Sequence, residues 1–361
     1  MRPASNTRKA LSIGLLVLFL TVSSGCGNGG VDTASDTPET VDETSPSGGG
    51  EAAPLVENAW IKSTNGNFIF VRSKTPSAGT GEKLPVIIIV PGGLGSSMWY
   101  LDIQAFAELA DEGYIIYAFT PQGRGSGTET DPASEGVENY NGLVHQDDLK
   151  AVIEYAKTNP LADQDNIGVV SFSFGISMAA GCLGRDPGLN VKYLIDVEGP
   201  SDSYVIMADA WLLDSDTAND KTAQMSGMFG GREDTADDPS AENIQWWSER
   251  EALNYIGSVT SAYMRIQSEW DHMQPPNQDY QSFDYPPLWY GNKHAVDLLN
   301  AATNGSSVWT RMNGEDIGNP PNALYGYESQ PAYYSGNIDG SFDNFSVQLK
   351  KSIKEMAGRI F

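Results

Sequence analysis

Four short apolar runs limit what this chain can fold into. They are PVIIIVPGG (85–93), YIIYAFTP (114–121), NIGVVSFS (166–173) and VKYLIDVEGP (191–200). Each is nearly continuous rather than alternating, and each ends at Gly, Pro or Ser. A strand with one face in water alternates polar and apolar residues, whereas a strand covered on both faces does not. Segments with helical spacing lie between the runs: SMWYLDIQAFAELADEG (97–113), GLVHQDDLKAVIEYAKTNP (142–160) and the small-residue stretch from Phe174 to about Gly184. Such alternation predicts parallel strands joined by helical crossovers, with helices on both faces of the sheet. AWIKS and NFIFVRSK lead in as short strands, and AYMRIQSEWD resumes the sheet later. A helix from about Asn292 to Thr303, the strand SSVWTRMNG and an amphipathic helix from about Phe342 to Met356 complete the α/β pattern. The rhythm breaks between about 201 and 258, where IMADAWLL and QWWSE are rich in Met and Trp. This stretch is expected to be an inserted helical lid. Its apolar residues either line a pocket or pack on the domain beneath.

The N-terminus reads differently. Arg2, Arg8 and Lys9 precede LSIGLLVLFLTV and the small residues SSGC, the order of an export signal over 1–26. The apolar run is short for a membrane span. Cys26 stands where a bacterial lipoprotein signal places its acylated cysteine, although Ser23 occupies a position that is usually aliphatic. Residues 27–57 are Gly, Ser, Thr, Pro and acid, the composition of a flexible, self-repelling tether. The expected arrangement is an exported globular domain over 58–361 whose only membrane contact is a lipidated N-terminus, the alternatives being secretion after ordinary signal cleavage or a retained anchor. With Cys26 so used, Cys182 has no partner for a disulfide and reads as a small packed hydrophobe. The formal net charge of −25 argues against nucleic acid and anionic membranes as partners, because those contacts need Lys and Arg.

Ser173 lies at the junction of a strand and a helix. That turn lifts a serine above the sheet and aims the following amide, here that of Phe174, at a developing oxyanion. Gly175 allows a close strand–helix approach, while Ser171 stands where glycine opens the usual G-x-S-x-G pattern. VPGG followed by Leu94 and Gly95, then TPQGRGSG, SFSFG and QSEWDHMQPP, come in an order that resembles the α/β-hydrolase family over about 59–361. The resemblance implies a Ser173 nucleophile, oxyanion amides from Phe174 and from Gly93 or Leu94, and Asp271 as the acid of a triad. It implies acyl or ester hydrolysis of a small-molecule substrate, without cofactor or metal. Two features depart from the family. Thr120 and Gln122 replace an acid and an arginine in TPQGRGSG. The slot for the catalytic histidine falls near Glu315 or Asp316, where no histidine stands. A carboxylate there is a poor substitute for imidazole, because its pKa lies far below neutrality.

Three histidines exist. His145 reads as a helix-start or surface residue, and His272 as a loop residue beside Asp271. His294 begins a helix on the side of the sheet where strands end, so it is assigned as the base. A second reading keeps the fold without the chemistry: a surface binding or scaffold module. Glu198, Asp202, Asp271, Glu315 and Asp316 all follow strand ends and offer oxygens to a hard cation. Their spacing matches no EF-hand, and the expectation remains a metal-free site.

Overall fold

The computed structural model describes residues 54–76, 81–203, 232, 235, 238–268, 289–310 and 345–358. Its centre is a sheet of β1 (Leu55–Lys62), β2 (Phe68–Thr75), β3 (Leu84–Val90), β4 (Ile115–Thr120), β5 (Ala162–Phe172), β6 (Tyr193–Val197), β7 (Ala262–Ser268) and β8 (Gly305–Thr310). The strand order is β1-β2-β4-β3-β5-β6-β7-β8. β2 runs antiparallel to both neighbours, and every pair from β4 across to β8 is parallel. The apolar runs are the central strands. All six residues of β4 and all five of β6 are buried, as strands covered on both faces must be. β1 begins at Leu55, so the last residues assigned to the tether belong to the sheet.

Helices cover both faces. α2 (Leu143–Lys157), α3 (Gly175–Arg185), α5 (Leu253–Ile256) and α6 (Trp289–Ala301) share one core with residues such as Ile88, Val169 and Leu194. α1 (Gln104–Asp111) and α7 (Phe345–Gly358) close the other face over Ile87, Ile89 and Ile195. The small residues of α3 have a steric reason. A Cβ on Gly181 would sit 2.3 Å from the Gln146 side chain, and one on Gly184 would sit 2.7 Å from the Tyr255 carbonyl. Neighbouring elements press on this helix because it must stay directly behind Ser173.

Within the stretch expected to be a lid, α4 (Ala241–Ser248) is capped by Ser240, whose hydroxyl accepts from the Asn243 amide at 3.2 Å. Ala252, Ile256 and Val259 instead join the core beside α2 and α3. The C-terminal end of that stretch is therefore part of the domain's flank. Cys26, the export signal and most of 204–237 lie outside the described residues, as do Asp271, His272, Glu315 and Asp316.

Candidate active site

The strand order reverses direction at β3, which has β4 on one side and β5 on the other. Crossovers leave opposite faces on either side of that point, and in open α/β sheets ligands bind outside the carboxyl ends of the strands at such a point, here β3 and β5. The PGGLG loop emerges from β3 there, and Ser173 emerges from β5.

Ser173 has a φ of +49°, in the left-handed region. A β-carbon makes that conformation costly, and it persists only where the surroundings impose it. Three contacts impose it. The Ser173 amide donates to the Val197 carbonyl at 2.8 Å, which extends the β5–β6 ladder by one bond. The Ser173 carbonyl accepts from the Ile176 amide at 3.1 Å, which opens α3. A Cβ on Gly175 would meet the Pro91 carbonyl at 2.7 Å, so only glycine lets the helix start this close to β3. Ser171 is a different case. It is buried inside the ladder, opposite Val90 and Asp196, and its side chain fits there. The second glycine of the pattern is a steric requirement here, and the first is not.

The loop after β3 rides directly on this turn. A Cβ on Gly92 would lie 2.7 Å from the Phe172 carbonyl and 3.1 Å from the Ser173 Cβ. The Gly92 amide donates to the Tyr100 hydroxyl at 2.9 Å, and desolvation is the main reason this phenol's pKa rises. That bond occupies Gly92 and leaves Gly93, with φ of +51°, and Leu94 as the loop's candidate donors beside Phe174. The Gly95 amide closes the turn onto the Gly92 carbonyl at 2.8 Å. The structure thus brings Ser173, Phe174 and the Gly93–Leu94 loop together.

The two replacements in TPQGRGSG have structural partners. The Thr120 hydroxyl accepts from the Ser97 amide at 3.2 Å and lies 3.0 Å from the Ser97 hydroxyl, tying the end of β4 to the loop after β3. Gln122 gives its backbone amide (2.9 Å) and its side-chain amide (2.6 Å) to Asp148, and its side-chain Oε1 accepts from Asn65 and Asn67. Burial pushes the Asp148 carboxyl up. A neutral amide suits this packed position.

Beside the turn lies a buried network that the sequence did not reveal. The Arg124 guanidinium makes two bonds to the Glu138 carboxylate, at 2.8 and 2.9 Å, and a third to Asn141 Oδ1 at 2.8 Å. Glu138 is desolvated, yet its pKa falls because Arg124 holds the charged form. Asn141, with φ of +60°, donates from Nδ2 to the Phe174 carbonyl at 2.8 Å and from its backbone amide to His145 Nδ1 at 3.1 Å. His145 Nε2 lies 2.9 Å from the Gln122 carbonyl. A carbonyl can only accept, so Nε2 carries the proton and Nδ1 is the acceptor. Burial and the neighbouring Arg124 push the His145 pKa down to about 3. His145 stands in the first turn of α2, as the helix-start reading expected, but it is a neutral, wholly buried brace rather than a surface residue. The one signal in the sequence was the Asn-rich NYNG before the helix, since asparagine tolerates left-handed turns.

His294 lies in the second turn of α6 and is buried, with 2% of its surface exposed. Glu198, with φ of +52°, follows β6 next to the turn, and its amide donates to the Ile266 carbonyl at 3.1 Å. Among the described residues no group of three or more His, Cys, Asp or Glu has the geometry to hold a metal ion.

Comparison with solved structures fits this fold. The acylaminoacyl peptidase of Pyrococcus horikoshii superposes with a TM-score of 0.51 and 20% identity, over 85% of this chain and 41% of that one. An esterase of Pyrococcus furiosus gives 0.50 and 15%, over 84% and 92%. The dipeptidyl peptidase 4 of Porphyromonas gingivalis gives 0.51 and 14%, over 86% and 36%. The chain has the α/β-hydrolase fold. In sequence, the "uncharacterized peptidase YuxL" of Bacillus subtilis (strain 168) is 27% identical over 217 residues. That match spans 58% of this chain but only 29% of the relative's length. No family model matches the chain.

Proposed function

We propose that this protein is an exported serine hydrolase that cleaves small acyl substrates, esters first among them. The observation that carries this reading is the strained Ser173 turn with the Gly92–Leu94 loop packed onto it. A residue held in the left-handed region at the carboxyl ends of β3 and β5 points to function, because folding alone gains nothing from it. Ser173 Oγ attacks the acyl carbon and loses its proton to a base. The Phe174 amide and that of Gly93 or Leu94 receive the oxyanion. The tetrahedral intermediate collapses to an acyl-serine, and the leaving group departs with the proton. Water then reverses these steps and releases the acid. His145 is already used as a brace, so the base is His272 or His294. We assign His294, oriented by Asp271. Peptides are the second substrate class, since several proteins of this fold are named as peptidases. No cofactor enters this chemistry. Export and anchoring rest on the N-terminal signal and a lipidated Cys26.

A second reading follows from one observation: no histidine stands anywhere after His294. On that reading the protein binds a surface ligand without turnover. Covalent labelling by a fluorophosphonate, read by intact mass, separates the two. The hydrolase reading expects one adduct on the parent and none on Ser173→Ala, with p-nitrophenyl ester turnover lost by on the order of 10⁴-fold or more. His294→Ala and His272→Ala then identify the base. A cooperatively folded parent that takes no label supports the binding module instead.

A further inference from the structure

Asn141 connects two structures that have no other reason to meet. Its Oδ1 accepts from Arg124, whose guanidinium is fixed by Glu138 and reaches the Gly95 carbonyl at 3.5 Å. Its Nδ2 donates to the Phe174 carbonyl. Its backbone amide is held by His145, and the preceding Tyr140 is also left-handed, with φ of +51°. Two adjacent non-glycine residues in that region are costly, so the turn is imposed from outside. Arg250 imposes it in part. That buried guanidinium donates twice to the Asn139 carbonyl, at 2.9 and 3.2 Å, and lies 3.9 Å over the Trp246 ring. The Asn139–Gly142 turn is thus pinned on one side by the segment after α4 and on the other by α2. It delivers a single side-chain amide to the residue after the nucleophile.

The Phe174 carbonyl takes this contact at 2.8 Å. It also accepts from the Ser177 amide at 3.2 Å, in the first turn of α3. Fixing that carbonyl fixes the plane of the 174–175 peptide. With Phe174 at φ of −57° and ψ of −10°, this sets the direction of the Phe174 N–H. An amide that stabilises an oxyanion works only when it is already aimed.

We propose that Asn141 is a positioning residue for the oxyanion amide of Phe174, held in register by Arg124 and by the Arg250-pinned turn. The proposal rests on the serine-hydrolase reading. Asn141→Asp tests it, because the two sides of Asn141 then respond in opposite ways. The carboxylate keeps and strengthens the bond from Arg124, but it turns an acceptor toward the Phe174 carbonyl. If Asn141 only stabilises the fold, this variant melts lower, because the Phe174 carbonyl loses a donor, and each folded molecule keeps its activity. If it positions Phe174, the variant loses activity while still folded at the assay temperature. Its fluorophosphonate labelling rate and its kcat on p-nitrophenyl acetate fall by about tenfold to a hundredfold, with KM within about twofold, the scale expected from misaiming a catalytic group. Asn141→Gly is the second variant: it accepts the left-handed backbone and removes both side-chain bonds, and the same fall in rate is expected. Parent-like labelling in both variants overturns the positioning role and leaves the hydrolase reading intact. A folded parent that takes no label overturns both.

Discussion

Two buried charge networks flank Ser173, and they differ in what they hold. On the β4 side, Arg124, Glu138, Asn141 and His145 end on loop atoms: the Phe174 carbonyl, the Gly95 carbonyl and the Gln122 carbonyl. On the β6–β7 side, Asp196 and Arg265 face each other as direct cross-strand neighbours. The Arg265 guanidinium and the Tyr263 hydroxyl both bond Asp196, the latter at 2.8 Å, while Gly199 gives its amide and accepts from Arg265. Gln267 takes two further guanidinium bonds. Both residues of this pair are fully buried. The first network therefore reaches the groups that would act, and the second closes on the sheet and the turn after β6. A buried charge is tolerated only when paired and fully hydrogen-bonded. The same requirement has produced a brace for the site on one side and a clasp for the strands on the other.

The largest expected effect breaks the clasp. Arg265→Met leaves the Asp196 carboxylate buried without its cation, and removing one partner of such a pair costs about 3–5 kcal/mol. Urea unfolding should show that loss as a lower midpoint with unchanged slope. Turnover per folded molecule at low temperature should stay close to the parent's. A variant that is stable but inactive would instead give this network a role in the site and erase the contrast with Asn141.

The acid limb of stability sharpens the comparison from the other side. His145 is neutral in the fold, with its pKa pushed down to about 3, whereas an unfolded histidine takes up a proton near pH 6.5. Between those values the unfolded chain binds more protons than the fold, so stability rises with pH and is lost as pH falls from about 6.5 toward 3. The groups facing His145 are Arg124 and Arg250, which oppose its charging, and Glu138, which favours it. One such proton changes stability by up to about 1.4 kcal/mol per pH unit. His145→Asn should flatten that slope in urea titrations at pH 4–6, at some cost in stability at pH 7. An unchanged slope would mean that other groups carry the acid sensitivity.

Much of this was legible in the residues. Buried parallel strands announce themselves as apolar runs, so β3 to β6 and the Ser173 turn could be placed from order and punctuation alone. The networks could not, for a physical reason. A charge inside an apolar run demands a partner, and Asp196 in YLIDVEGP and Arg265 in AYMRIQ each made that demand. Only strand order shows that they answer each other. Asn141 and Arg124 were less visible still, because both lie in loops where polar residues need no explanation. The turn that carries Asn141 is held at the Asn139 carbonyl by Arg250, more than a hundred positions away.

Ser171 lies between the two networks, and replacing it tests how independent they are. It is the β5 residue paired with Asp196, two positions before the nucleophile. Its hydroxyl is 3.4 Å from the Ile195 carbonyl, too far for a strong bond. Ser171→Gly would restore the glycine that opens the usual pattern. Because the serine Cβ already fits, the change relieves no clash and adds only backbone freedom in a strand, a cost of about 0.5–1 kcal/mol. Labelling of Ser173 should proceed at the parent rate, with a melting temperature a few degrees lower. A clear gain in labelling rate would show that Ser171 crowds the turn and that the chain gives up reactivity to keep β5 firmly laddered to β6. A clear fall would show that the clasp beyond Asp196 is felt at the nucleophile after all.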